Sequence, residues 1–209
     1  MAGTVLLSTA YFPPARYFTL IAGAGDVHIE KWENYHKQTY RNRCTILGAN
    51  GPLDLVVPVL RGSFHKTPVR DIEIDSSRRW CELHMRGIMS AYATAPYFEF
   101  YSDILREVIT GNFRYLLDLN YAALKAMLDT IGIDVPVSFT GEFTGEGMAE
   151  ADYRYTLTPK KSEGTVINRE ESYTQVFGDR YGFVPRLSII DLLLNKGPET
   201  RALLLRSPA

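Results

Sequence analysis

The sequence is poor in cysteine, nearly balanced in charge and free of long apolar runs, and each shortage closes a class of function. Its two cysteines, Cys44 and Cys81, stand in no paired spacing. They are too few for a disulfide scaffold and wrongly placed for structural zinc, so a reducing compartment is expected. Lysine and arginine number 23 against 24 acids, for a formal net charge of -1. General nucleic-acid binding needs a basic surface that neutralises several phosphates, so no DNA or RNA partner is expected. No stretch approaches the roughly 18 apolar residues of a membrane helix. The opening Met-Ala-Gly-Thr-Val-Leu-Leu-Ser lacks the basic start of a signal peptide. These features predict a cytoplasmic protein without membrane insertion. No G-x-G-x-x-G opens a helix, and no P-loop, H-E-x-x-H, G-x-S-x-G or EF-hand pattern occurs. His28, His36 and His65 show no ligand spacing, so neither metal nor cofactor is expected.

What is present suits a packed core. Of 209 residues, 45% are hydrophobic, and the length predicts one domain over 1–209. Residues 5–9 form a short apolar run ended by Pro13-Pro14, residues 15–24 carry apolar positions at helical spacing, and residues 27–32 alternate. The chain thus opens β-α-β, a unit expected to be right-handed within one sheet. Two apolar runs flank Asn50-Gly51, a hairpin signal because both central positions of a type I′ turn need positive φ. Residues 69–74 alternate as a further strand, after a basic, glycine-containing loop at 61–68 expected to be mobile. Asp75, Ser76 and Ser77 are N-cap candidates for a helix running through Trp80 and Tyr92, and further helices are predicted over 97–109 and about 113–131. Residues 135–139 make a short strand candidate. Residues 141–171 read as a polar excursion, partly disordered or a lid, because few apolar groups offset its ordering entropy. A closing helix begins at Ser188, with Asp191 in the position of a capping-box partner, and ends near Gly197-Pro198. The predicted class is α/β: a single domain with a mixed sheet, the β-α-β unit followed by antiparallel strands, packed by three or four helices. The alternative is α+β.

Candidate chemistry concentrates just beyond the second strand, where Glu30, Glu33, His36, Tyr40, Arg41, Asn42, Arg43 and Cys44 crowd together. Ligands of βαβ sheets bind at the carboxyl ends of strands, and Tyr11 would approach the same edge. An aromatic wall beside two arginines suits a planar or sugar-like ligand bearing a carboxylate or phosphate, which guanidinium forks bind bidentately. The plainer reading pairs Arg41 and Arg43 with Glu30 and Glu33 on a solvated face. Stacking of single-stranded nucleic acid on Trp32, Tyr35 and Tyr40 is opposed by the neighbouring acids. His84 shares one helix side with Trp80, Ile88 and Tyr92, so it is either a core histidine satisfied by hydrogen bonds or a general acid–base of tuned pKa. Cys44 follows the arginines, which would favour a thiolate, but strand alternation makes it a buried small hydrophobe.

Several stretches together resemble the WbqC-like protein family. These are Tyr11-Phe-Pro-Pro, the run Glu33-Asn-Tyr-His-Lys-Gln-Thr-Tyr-Arg-Asn-Arg-Cys, Val57-Pro-Val59, Asp71-Ile-Glu-Ile-Asp75, Trp80 with His84, Ala95-Pro-Tyr-Phe98, and the terminal Leu187-Ser-Ile-Ile-Asp-Leu-Leu-Leu-Asn-Lys-Gly-Pro. The resemblance implies a role in bacterial surface-polysaccharide or sugar-modification pathways, as a transferase of an acyl or aminoacyl group to an amino sugar. Arg41 and Asn42 match the family's Arg-Asn motif and His84 its Trp-x-x-x-His motif, with Glu30 a looser match. Thr9-Ala10-Tyr11 departs from the commoner Gln-Pro-Tyr start.

The expected function is therefore that of a transferase acting on a small-molecule activated acyl or sugar substrate. His84 and Glu30 are its catalytic candidates, and Tyr11, Tyr40, Arg41, Asn42 and Arg43 would bind substrate. The alternative is a non-catalytic carbohydrate- or partner-binding protein of the same pathways. The sequence carries no signal of oligomeric state.

Overall fold

The computed structural model of the chain describes residues 3–60, 66–145, 149, 151–159 and 170–207. Strand β1 (Thr4–Ser8) leads through helix α1 (Ala15–Ala22) to β2 (Asp26–Glu30), and the two strands pair in parallel from Thr4↔Asp26 to Ser8↔Glu30. Pro14 occupies the N-cap of α1 with φ -65, the value its ring imposes and one suited to helix entry. The hairpin of β3 (Arg43–Gly48) and β4 (Gly51–Val56) comes next in the chain. Its turn is not the type I′ that Asn-Gly suggests: Ala49 and Asn50 lie between the paired glycines, and only Gly51, at φ 105, takes positive φ. Glycine accepts that backbone without a Cβ penalty, so the hairpin forms through a different turn from the same residues.

Three long helices come after the hairpin: α2 (Trp80–Tyr92), α3 (Phe98–Ile109) and α4 (Leu116–Ile131), the last capped by Gly132 at φ 77. Helix α2 has no side-chain N-cap. Asp75 instead turns its carboxylate to the Ser77 amide and hydroxyl and to Arg78, closing a local turn before the helix begins. The alternation at 69–74 does not produce a strand. Val69–Asp71 form a 3-10 turn after Pro68, and Glu73 and Ile74 make only single bridges, to Tyr115 and Val59 respectively. Among the described residues no neighbouring segment runs alongside long enough to build a ladder, yet Ile72 and Ile74 still point inward, as the alternation requires.

Strand β5 (Val137–Phe139) joins β2 in parallel, and β6 (Ala151–Asp152) joins β1, for a sheet order of β5-β2-β1-β6. The parallel strands form this sheet and the antiparallel pair stands as a second one, a division consistent with the α/β class. Part of the predicted polar excursion is thus ordered sheet. Its residues 146–148, 150 and 160–169 lie outside the described residues, as do 61–65 of the basic loop and with them His65. After a single helical turn, α5 (Gly178–Tyr181), the closing helix α6 (Ile189–Lys196) starts as predicted at Ser188, whose hydroxyl accepts from the Ile190 amide. Asp191 does not complete a capping box, because its carboxylate faces Tyr92, Tyr173 and Gln175. Gly197 ends α6 at φ 50, with the Tyr97 ring so close that no Cβ fits. A 3-10 turn at Gly197–Glu199 then leads into a helix that the sequence pattern does not predict, α7 (Thr200–Arg206).

One contiguous cluster of buried apolar side chains joins these parts. Helix α2 packs on the hairpin, α3 on α4, and α1 against α6 and α7. This packing leaves the carboxyl ends of β1, β2 and β6 as the place where loops converge.

Candidate functional site

Glu30 ends β2 and is fully buried. A carboxylate removed from water must be compensated by hydrogen bonds or an opposite charge, and Glu30 has both. One oxygen accepts from the Trp32 amide (2.8 Å) and the Thr140 hydroxyl (2.7 Å). The other accepts from the Thr144 amide (2.9 Å) and from Nη1 of Arg154 (3.3 Å). Arg154 lies two residues beyond β6, and its side chain is as inaccessible as that of Glu30. Its Nε and Nη2 fork onto Asp152 at 2.9 and 2.6 Å, and Nη1 also donates to the Thr144 carbonyl at 2.8 Å. Burial pushes the Asp152 carboxyl up, but the Arg154 hydrogen bonds outweigh it and hold the group below its ordinary range. Glu30 is therefore the hub that ties β2, the segment after β5 and the segment after β6 together. With four donors on it, it has no oxygen to spare for a substrate.

Arg41 stands beside this hub, also buried. Its Nε donates to Glu33 at 3.0 Å and its Nη2 to the other Glu33 oxygen and to Ser8 Oγ at 2.8 Å. Asn120 of α4 fastens the same backbone, donating to the Arg41 carbonyl (2.8 Å) and to Thr9 Oγ1 (3.1 Å). The Tyr17 hydroxyl donates to the Ser8 carbonyl at 2.8 Å. Arg41 lines a hollow of about 10 Å³ with Ser8, Tyr17, Tyr40, Tyr153 and Leu157, room for a single water. Across the group, three carboxylates (Glu30, Glu33, Asp152) face two guanidiniums (Arg41, Arg154).

Of the other expected site residues, all but Tyr40 go elsewhere. Tyr11 is fully buried, and its hydroxyl meets Nδ1 of His84 at 3.0 Å. Nε2 of His84 meets the Val56 carbonyl at 3.1 Å. A carbonyl only accepts, so Nε2 carries the proton and Nδ1 accepts from Tyr11. Burial drives the His84 pKa down to about 4, against the opposing hydrogen bond to Val56. A buried, neutral imidazole with both nitrogens occupied, edge-on to Trp80 at 5.1 Å, joins α2 to the hairpin. Both of its ring nitrogens are thus engaged by protein groups within the core. Asn42 likewise latches backbone, donating to the Val57 carbonyl at 3.0 Å. Arg43 pairs with Asp54 across the hairpin at 3.0 Å, both partly exposed. Tyr40 remains at the Arg41 hollow, and burial raises its pKa to about 12. Cys44 is core: burial pushes its thiol up to about 12, far from a reactive thiolate.

A family model described as the WbqC-like protein family matches residues 9–168. The chain belongs to the WbqC-like family. It is also 27% identical to the uncharacterized protein Rv1507c of Mycobacterium tuberculosis, over 95% of this chain and 96% of that one. No solved structure matches it. The WbqC-like span contains Glu30, Glu33, Arg41, Asp152 and Arg154, so the whole carboxylate–guanidinium group lies within it. Within this WbqC-like site, sequence reasoning misses Arg154 and Asp152 altogether, because their segment reads as polar excursion. The only signal is an acid and an arginine two apart, Asp152-Tyr-Arg154, and nothing local says such a pair is buried. Among the described residues, no helix is long and apolar enough to cross a membrane, and no group of three His, Cys, Asp or Glu could hold a metal ion.

Proposed function

We propose that this WbqC-like protein is a cytoplasmic transferase of bacterial surface-polysaccharide or sugar-modification pathways, using a small-molecule activated acyl or sugar substrate. Its reactive edge is the carboxyl end of the parallel sheet, where ligands of such sheets bind. One observation carries the reading. Glu33 and Ser8 hold the Arg41 guanidinium by two of its three nitrogens, and the side chain lines a hollow at the strand ends. A guanidinium fixed in this way costs little further ordering when it binds a carboxylate or phosphate of a substrate. Tyr40 and Tyr153 flank the position, and a substrate larger than water enters by displacing side chains such as those of Tyr153 and Leu157.

Thermal-shift screening against sugar nucleotides, acyl carriers and amino sugars tests this. Ligands carrying an oxyanion should raise Tm, and Arg41→Lys, which keeps the charge but loses the fork, should remove the shift. If no oxyanion ligand stabilises the protein, or Arg41→Lys responds as the parent does, the site is elsewhere. Binding without any turnover would instead support the non-catalytic carbohydrate-binding reading.

A further inference from the structure

Away from the strand ends, a cleft of about 530 Å³ opens between the link from α2 to α3, the end of α6 and the segment around α5. Its size falls within the roughly 300–1,000 Å³ of small-molecule sites. Its walls are built, not incidental. The Gln175 amide closes the loop across from it, donating to the Val184 carbonyl at 2.9 Å and accepting from the Val184 amide at 2.8 Å. Arg180 and Tyr181 anchor α5 to the Ala49 carbonyl at 2.6 and 2.8 Å. Beneath the floor, buried Asp191 holds Tyr173 at 2.7 Å and Gln175 at 3.0 Å, and is itself braced by Tyr92. Two of the lining side chains are thus fixed in place by groups that a ligand would not need to reorganise.

The chemistry of the lining selects the ligand. Its charged groups are one lysine, Lys196, and one aspartate, Asp179, which balance. Arg180, the nearest guanidinium along the chain, is committed to Ala49. A phosphate or nucleotide diphosphate would find no cluster of cations here. Hydroxyls and amides are plentiful: Thr94, Thr174 and Asn195 line the cleft, and Asn195 spends its amide nitrogen on the Asp191 carbonyl, which leaves its oxygen to accept. The Tyr173 and Phe183 rings meet edge-on at 5.2 Å and present apolar surface beside these groups. Hydroxyl-binding amides next to aromatic faces suit a ligand with many hydroxyls, one apolar C–H face and no charge. We propose that this cleft is a second binding site, separate from the Arg41 hollow, that takes a neutral sugar unit. The inference deepens the transferase reading by giving an uncharged saccharide a place, but its test does not depend on turnover.

The test is calorimetric titration of the full chain with galactose, N-acetylglucosamine and lactose, with inorganic phosphate and UDP as charged probes. At least one neutral sugar should bind saturably, and Phe183→Ala should weaken it by about tenfold as an aromatic face is lost. Thr94→Trp, at an exposed position, should fill the cleft and abolish binding while unfolding at the parent temperature. No neutral-sugar binding, binding unchanged by both variants, or UDP bound in preference to sugars and blocked by Thr94→Trp would each overturn the proposal. Sugar binding here without any oxyanion response at Arg41 would sink the transferase reading alone, and the converse would sink this one alone.

Discussion

His84 makes the stability of this protein depend on pH in a calculable way. Its folded pKa is depressed from 6.5 to about 4 by burial, so the unfolded chain binds the proton more readily. A depressed pKa contributes stability that is fully present above pH 6.5 and is lost as pH falls toward 4. At about 1.4 kcal/mol per unit, the full loss is about 3 kcal/mol, of which about 2 kcal/mol falls between pH 7 and pH 5. Protonation would also force Nδ1 to donate where it now accepts from Tyr11. The control is His84→Gln, whose amide can donate to Val56 and accept from Tyr11 but does not titrate. Urea unfolding of both proteins at pH 7, 6 and 5 isolates the contribution. The parent should lose about 2 kcal/mol more than the variant from pH 7 to 5, a midpoint lower by about 1 M at a typical urea slope. If the two proteins fall in parallel, the buried neutral histidine is wrong. If ligand turnover were found and His84→Gln abolished it without loss of stability, the structural role of His84 would also fail.

Arg154 and Cys44 give two further tests. Arg154→Leu strands the buried Glu30 carboxylate and takes the guanidinium from half-buried Asp152, and should cost about 3–5 kcal/mol; a variant as stable as the parent in urea would show that the Glu30–Arg154 pair is not buried. Cys44 should resist alkylation at pH 8 in the folded protein while half-buried Cys81 reacts slowly, and mass spectrometry finding the label first on Cys44 would contradict its place in the core.

The features visible in the sequence are those set by neighbours along the chain. A short apolar run locates β1, alternation and helical spacing locate β2, α1 and the three long helices, and Ser188 marks the start of α6 because an N-cap acts over two residues. Where local signals fail, a partner from far along the chain decides the outcome. Among the described residues the alternation at 69–74 finds no strand to pair with, and Asp191 leaves its capping position for tyrosines 99 and 18 residues before it. The same holds for the site. Residue types point to a charged group beyond β2, and Arg41 and Glu30 lie there. Whether each faces a ligand or the core is settled by parallel pairing of β6 beside β1, which brings Arg154 across 124 residues to Glu30. A histidine on an apolar stripe and an arginine after a strand look alike in sequence whether or not they meet water. Their roles come from desolvation and hydrogen-bond partners, which exist only once the chain has closed on itself.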